Sequence, residues 1–275
     1  MSENGFLIEN TLSLDDLFSF DVVDNKIRAN LETLFHTYER NIETYTLTLL
    51  KKLRLKNNDL NEEITNIFAC KYLNFFRNPN CIEKVINTIG VLAEYEFTDP
   101  QFFDICKRIE TGRKRQQEYL CAQLGITNEM YHKWLKILFM LLGRPKLLER
   151  NLLEKNIKSL FENTSHDVQV IIFNYTGEHS TKGVLLSDRG FSSPIEKDGC
   201  IAFSFNLCTN AFIYYLFSES PKWRINLLKK TNLKHIAVKY IENDLEHLAS
   251  YNKNTLYQAK EKVYCSRRFV YGLEH

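Results

Sequence analysis

The sequence predicts an α+β fold, with a mainly helical body packed on a small antiparallel sheet that carries C-terminal helices. Two observations support this class. Amphipathic helical periodicity dominates residues 1–163, and short β-branched runs bounded by turn residues follow after that point. A chain of 275 residues is long enough to bury its own core. We therefore expect either one continuous domain or a helical body, 1–163, followed by a sheet domain, 164–275.

The helical half begins with a long amphipathic segment between Asp24 and Lys52. Its apolar residues recur at alternating steps of four and three, which is typical of a helix that packs against another helix. The apolar positions are Leu31, Phe35, Tyr38, Ile42, Tyr45 and Leu49. Shorter helices are predicted after Asp59, from Ile82, after Asp99, after Thr127 and around Ile157. The 24–52 helix is thus a candidate contact surface for a protein partner or for a second copy of the chain.

In residues 164–275 the sequence predicts mainly strands, with two helices. Strands are predicted at 168–173, 183–187, 201–205 and 234–240, and helices at 209–217 and 245–264, the latter bent near Tyr251.

Composition excludes several classes of protein. The 36 Lys and Arg nearly balance 34 Asp and Glu, so no global field attracts nucleic acid or anionic lipid. The N-terminus lacks a secretory signal pattern, and the apolar runs are too short to cross a bilayer. The seven cysteines include no CxxC pair, which indicates reduced thiols and argues against a zinc site. We expect a cytoplasmic protein that does not insert into membranes.

Familiar catalytic motifs are missing. The sequence holds no phosphate-binding glycine loop of the Walker or Rossmann pattern, no HExxH and no GxSxG. Common NTPases, dinucleotide enzymes, zinc proteases and α/β-hydrolases are therefore not indicated, and no cofactor is implied.

Asp188 is the best candidate for a catalytic residue. It follows the apolar run Val184–Leu186, so a buried strand would hold its carboxylate at the rim of a cleft, where such a group can act as a general base or as a metal ligand. Arg77, at a predicted helix end, and the adjacent Arg189 are the candidate cations beside it. In the structural alternative, Asp188 accepts hydrogen bonds from loop N–H groups, and Arg77 only complements its helix dipole.

The densest basic stretch lies in the middle of the chain and is a candidate nucleic-acid-binding segment. Its residues are Lys107, Arg108, Arg113, Lys114 and Arg115. Phosphate contact needs only basic side chains on one surface. No aromatic residues interleave with this stretch, so base stacking is not predicted. The structural alternative is a solvated helix face.

Several segments together resemble a bacterial family that is catalogued as domain of unknown function 4238. They are Phe76-Arg77-Asn78-Pro79, Leu185-Leu186-Ser187-Asp188, Ser193-Pro194, the strand Ile201–Phe205 and a terminal helix with Asn252 and Ala259 that closes on Val263-Tyr264. The likeness covers residues 60–265 in pieces. Arg189-Gly190 stands where the family usually has Asn-Pro, and the family's His/Pro-containing opening is absent. The resemblance implies a helical body with a small sheet and no established chemistry.

Two functions follow as hypotheses. The first is an effector of a bacterial conflict system, a toxin or an anti-phage component, that binds or acts on nucleic acid or nucleotides. The second is a non-catalytic module that binds a protein partner through its long helix.

Overall fold

The structure is a computed structural model, and it describes residues 35–36, 39–95, 100–112, 114, 117–142, 151–193, 199–221, 236–267 and 270–273. Its α-helices are α1 (Ile42–Arg54), α2 (Asn61–Arg77), α3 (Ile82–Ile89), α4 (Pro100–Thr111), α5 (Gln117–Leu124), α6 (Asn128–Leu142), α7 (Leu152–Glu162) and α8 (Leu245–Gln258). Its strands are β1 (His166–Asn174), β2 (Leu186–Ser187), β3 (Cys200–Cys208), β4 (Ala211–Glu219), β5 (Ala237–Glu242) and β6 (Val263–Tyr264). The architecture is α+β and mainly helical, as predicted.

The chain divides into two compact units. The first falls within residues 1–40 and 76–153, and the second within 41–75 and 154–275. This division differs from the predicted boundary after residue 163. The reason is aromatic packing, because Phe68 of α2 and Phe161 of α7 both contact the rings of Tyr215 and Phe217 on β4. Helices that come early in the chain thus belong with the sheet.

The first unit is built around α6. Thr127 caps this helix, since its hydroxyl oxygen accepts the N–H of Met130 at 3.1 Å, which confirms the predicted helix start. Trp134 is fully buried, and its indole N–H donates to the backbone oxygen of Phe76 at 2.7 Å. A buried indole that retains a hydrogen bond fixes the position of the helix as well as filling the core.

The second unit contains a four-stranded sheet in the order β3-β4-β1-β5. The sheet is mixed, whereas an antiparallel one was predicted: β4 runs antiparallel to both β3 and β1, and β5 runs parallel to β1. Glu219 pairs with His166, and Ala237 pairs with Gln169. β4 therefore ends near the start of β1. β5 begins near that same end of β1, so β5 and β1 run parallel.

Each face of the sheet packs against helices of the second unit. On one face, Phe68 of α2 contacts the rings of Phe203, Phe205, Tyr215 and Phe217. On the other, the cluster of buried residues Phe173, Tyr175, Val184, Phe212, Leu248 and Tyr251 joins the sheet to α8. The sheet is thus the middle of three layers, an arrangement that buries both of its apolar faces.

Residues 209–217 form a turn and the strand β4, so the helix predicted there is wrong. β4 lies between β3 and β1 and is covered on both faces, so its sequence lacks the alternation of a half-exposed strand. A continuous apolar run of this kind is compatible with either a buried helix or a buried strand.

The helix predicted between Asp24 and Lys52 is interrupted in its described part. A turn at Arg40 and Asn41 precedes α1, and residues 24–34, 37 and 38 lie outside the described residues. The buried face of α1 consists of Thr46, Leu49, Leu50 and Leu53. Ile42 and Tyr45 of the predicted apolar seam are only half-buried, because the buried face is rotated relative to that seam.

Two other predicted elements are shorter than expected. Of the strand predicted at 183–187, only Leu186 and Ser187 form a ladder, which pairs with Tyr264 and Val263 of β6. The predicted helix 245–264 is continuous through Tyr251 and ends at Gln258.

Candidate functional site

Asp188, the predicted catalytic residue, lies immediately after β2 and is 5% exposed. Its carboxylate accepts three backbone N–H groups from the segment that follows α8. Oδ1 accepts from Lys260 at 3.0 Å, and Oδ2 accepts from Glu261 at 2.6 Å and from Lys262 at 3.0 Å. The side chain therefore binds the loop between α8 and β6 as an anion held in a set of backbone amides.

These hydrogen bonds match the structural alternative for Asp188. Both carboxylate oxygens are occupied, and the residue is nearly closed to solvent. A general base must reach a substrate proton within hydrogen-bond distance. Asp188 in this arrangement connects two chain segments, and a catalytic role for it stays a prediction from the sequence.

Arg77 has its partners in the first unit. Its guanidinium forms an ion pair with the carboxylate of Glu39 and lies 5.2 Å from the centre of the Phe35 ring. Asp188 belongs to the second unit and has its hydrogen bonds there. The pairing of Arg77 with Asp188 therefore stays a prediction from the sequence.

Arg189, the second predicted cation, is part of the turn that follows β2. The turn is closed by the N–H of Gly190, which donates to the Ser187 oxygen at 2.9 Å. Gly190 has a φ of +73°, a conformation that glycine adopts without strain. The Arg189 backbone is thus fixed by the same turn that sets the position of Asp188.

The five residues of the basic stretch lie in different environments. Lys107 is exposed and Arg108 is half-buried near the end of α4, and Arg113 and Arg115 lie outside the described residues. Lys114 is 9% exposed. Its ammonium donates to the backbone oxygens of Gly112 at 2.8 Å and Glu110 at 3.4 Å. Lys114 therefore caps the C-terminus of α4, where a cation is favourable.

A polar cluster surrounds this cap. Glu110 accepts a hydrogen bond from Lys136 of α6 at 2.8 Å. The pKa of Lys114 is lowered by burial, and the charge of Glu110 opposes this effect. Burial is the main cause that lowers the pKa of His132, and the positive charge of Lys114 lowers it further. The negative charge of Glu110 opposes both effects. His132 is thus favoured as a neutral imidazole at pH 7.

Amides connect α5 to α6 beside this cluster. Gln117 donates to Asn128 Oδ1 at 2.8 Å, and its own Oε1 lies 3.3 Å from His132 Nε2. The thiol of Cys121 also donates to Asn128 Oδ1, at 3.5 Å. These contacts hold the start of α5 against α6. Neither Gln117 nor His132 belongs to a recognisable motif, so neither was predicted from the sequence.

Two aromatic side chains near the basic stretch are exposed. Phe103 of α4 is 56% exposed, and Tyr119 of α5 is 53% exposed. Base stacking was not predicted from the sequence, because these rings flank the basic residues and do not alternate with them. The sequence alone does not show that these rings are exposed, because exposure depends on which helix face packs against the rest of the unit.

The local charge of this region exceeds that of the whole chain. Residues 107–136 contain seven Lys and Arg and three Glu, which is a net charge of +4. The remaining residues carry 29 basic and 31 acidic side chains, a net charge of −2. The near-neutral total is therefore compatible with a local excess of positive charge, and residues 107–136 of the first unit are such a segment.

Comparison with known proteins identifies no relative: no family model and no curated protein matches the sequence, and no solved structure matches the fold. Among the described residues, no helix is both long and apolar enough to cross a membrane. In the same part of the chain, no group of three or more His, Cys, Asp or Glu side chains could hold a metal ion.

Proposed function

We propose that this protein is a nucleic-acid-binding effector whose binding surface is the basic segment 107–136 of the first unit. The observation that carries the proposal is the concentration of charge, a net +4 in this segment against −2 in the rest of the chain. A local basic patch attracts phosphates even when the whole protein is nearly neutral.

The described side chains divide this segment into structural and available cations. Lys114 caps α4, and Lys136 and Lys133 pair with Glu110 at 2.8 Å and Glu129 at 3.3 Å. Lys107 is exposed on α4 beside the half-buried Arg108. Lys107 and Arg108 are therefore our candidates for phosphate contacts, together with Arg113 and Arg115 from the sequence.

The proposal favours binding over a reaction centred on Asp188. The carboxylate of Asp188 is occupied by three backbone N–H groups of its own unit, which supports a structural role for it. A toxin or anti-phage component that binds nucleic acid or nucleotides in the cytoplasm is the cellular role we propose. Membership of the family named above is likewise a proposal, based on its shared motifs.

Binding at low salt tests this function. Fluorescence anisotropy of the full chain with labelled single-stranded and duplex 20-mers of DNA and RNA should show saturable binding that weakens as salt rises. The double variant Lys107→Ala/Arg108→Ala should bind every sequence less tightly. The slope of log affinity against log salt should flatten by about 0.7–0.9 for each phosphate that the variant no longer neutralises. Lys253→Ala, which removes an exposed cation of α8 in the second unit, is the matched control. A wild-type protein that binds none of these probes at low salt would refute the proposal.

A second candidate function is a protein-interaction module, as the periodicity of the 24–52 segment suggested. Leu47 and Leu55 of the α1 region are 61% and 70% exposed, and the exposed Lys51 lies midway between them. Residues at this spacing share one side of a helix. Light scattering of the wild type and of Leu47→Ser/Leu55→Ser measures self-association, and a monomeric wild type would exclude a second copy as the partner.

A further inference from the structure

Along the sequence of the first unit, Phe103 precedes and Tyr119 follows the basic residues of the stretch 107–115. Phe103 lies four residues before Lys107 on α4, so both side chains share one helix face with a rise of about 6 Å between them. Tyr119 lies at the third position of α5, just after the basic stretch. More than half of each side chain is exposed, at 56% for Phe103 and 53% for Tyr119.

Polar contacts near Lys114 join each of these two helices to α6. Lys136 and Gln117 connect α6 to the last turn of α4 and to the first turn of α5, respectively. The rings thus project from helices whose ends are fixed on a common partner. A ring carried on a helix that is already held in place can accept a base without that helix first being ordered.

We propose that the ligand of this surface is single-stranded nucleic acid, with bases stacked on Phe103 and Tyr119 and phosphates bound by Lys107 and Arg108. The inference rests on the proposed function and names its substrate class. Sites for single strands combine cations that follow the backbone with aromatic rings on which bases stack.

The same features do not suit a duplex. Bases in a duplex stack on each other and present only their edges in the grooves, so exposed rings at the surface would gain little from them. The net charge of +4 in residues 107–136 complements an anionic strand. The charge and the rings together therefore match a polymer that offers phosphates and unpaired bases at once.

Three probes of equal length separate stacking from charge. Labelled single-stranded dT20, a 20-residue abasic strand and a 20-base-pair duplex are titrated with the full-length protein. We expect dT20 to bind more tightly than either of the others. Phe103→Ala and Tyr119→Ala should each weaken dT20 binding by about 5- to 150-fold and leave abasic-strand binding unchanged. Phe103→Trp, which keeps an aromatic face, should retain the affinity.

Tyr257→Ala is the matched control, because Tyr257 is an aromatic residue that is 89% exposed and belongs to the second unit. It should not change dT20 binding, and melting temperatures should show that all variants fold. Equal binding of dT20 and the abasic strand would overturn the inference. Tighter binding of the duplex than of dT20 would also overturn it. The same holds if Phe103→Ala and Tyr119→Ala bind dT20 as tightly as the wild type while Lys107→Ala binds it less tightly. Those results leave the proposed function intact, whereas no binding of any probe refutes both.

Discussion

Asp188 and Lys262 are joined by two hydrogen bonds of opposite direction. The Asp188 N–H donates to the Lys262 oxygen at 2.9 Å, and the Lys262 N–H donates to Asp188 Oδ2 at 3.0 Å. The two residues occupy the position that follows the Ser187–Val263 pair in the ladder between β2 and β6. A ladder of two residues is marginal by itself. The Asp188 carboxylate adds to this ladder the hydrogen bonds that it accepts from the N–H groups of Lys260 and Glu261.

Asp188→Asn should lower the free energy of unfolding by about 1–3 kcal/mol. The amide NH₂ replaces one oxygen, so at least one backbone N–H of residues 260–262 is left without its acceptor. Thermal unfolding measures the change, with Glu178→Gln as the control because the Glu178 side chain is 88% exposed. An Asn variant that melts like the wild type would show that the carboxylate does not stabilise this loop.

Leu49→Ala should cost about 2–5 kcal/mol, since Leu49 is fully buried on α1. Leu47→Ala on the same helix should cost less than about 0.5 kcal/mol, because Leu47 is 61% exposed. Urea unfolding measures the free energy of unfolding of the two variants. Both are Leu→Ala substitutions on the same helix, so the difference between their costs reflects the difference in burial. Equal costs would mean that the buried face of α1 is assigned incorrectly.

Gly272→Ala should be more destabilising than Gly177→Ala. Both glycines have positive φ, at +83° and +56°, so both substitutions carry a backbone cost of about 1–2 kcal/mol. Only at Gly272 would the new Cβ also lie 2.6 Å from Ala249 of α8. The difference between the two melting temperatures isolates that steric contact, and no difference would show that the C-terminal segment can move away.

Because of Asp244, the free energy of unfolding of the second unit should decrease as the pH becomes acidic. Its carboxylate caps α8 by accepting the His247 N–H at 3.0 Å, and this bond lowers the pKa of Asp244. Because the folded pKa lies below the unfolded value of about 3.9, the contribution is complete above that value. It disappears as the pH falls through the folded pKa.

Unfolding measured between pH 7 and pH 3 checks this dependence. Asp244→Ala should cost about 1 kcal/mol at pH 7. Asp244→Asn retains a capping oxygen without titrating, so its difference from wild type should shrink below about pH 4. A difference that does not change with pH would contradict the role of the charge.

The sequence by itself determined the elements whose signals are local. Thr127 is a good capping residue before a periodic apolar segment, and α6 begins where that pattern predicts. The β-branched run at 168–173 likewise forms β1, within the longer strand His166–Asn174. Such elements depend on capping and side-chain periodicity, which neighbouring residues supply.

Only the tertiary structure decided β4, the role of Asp188 and the exposure of Phe103. A strand covered on both faces has no alternation to reveal it, and the partners of Asp188 lie more than seventy residues away in sequence. Phe103 is as apolar as the buried Phe68, so composition cannot separate a ring on a helix surface from one in the core. Burial and hydrogen bonding between distant segments are properties of the packed chain, and they fix which side chains a ligand can reach.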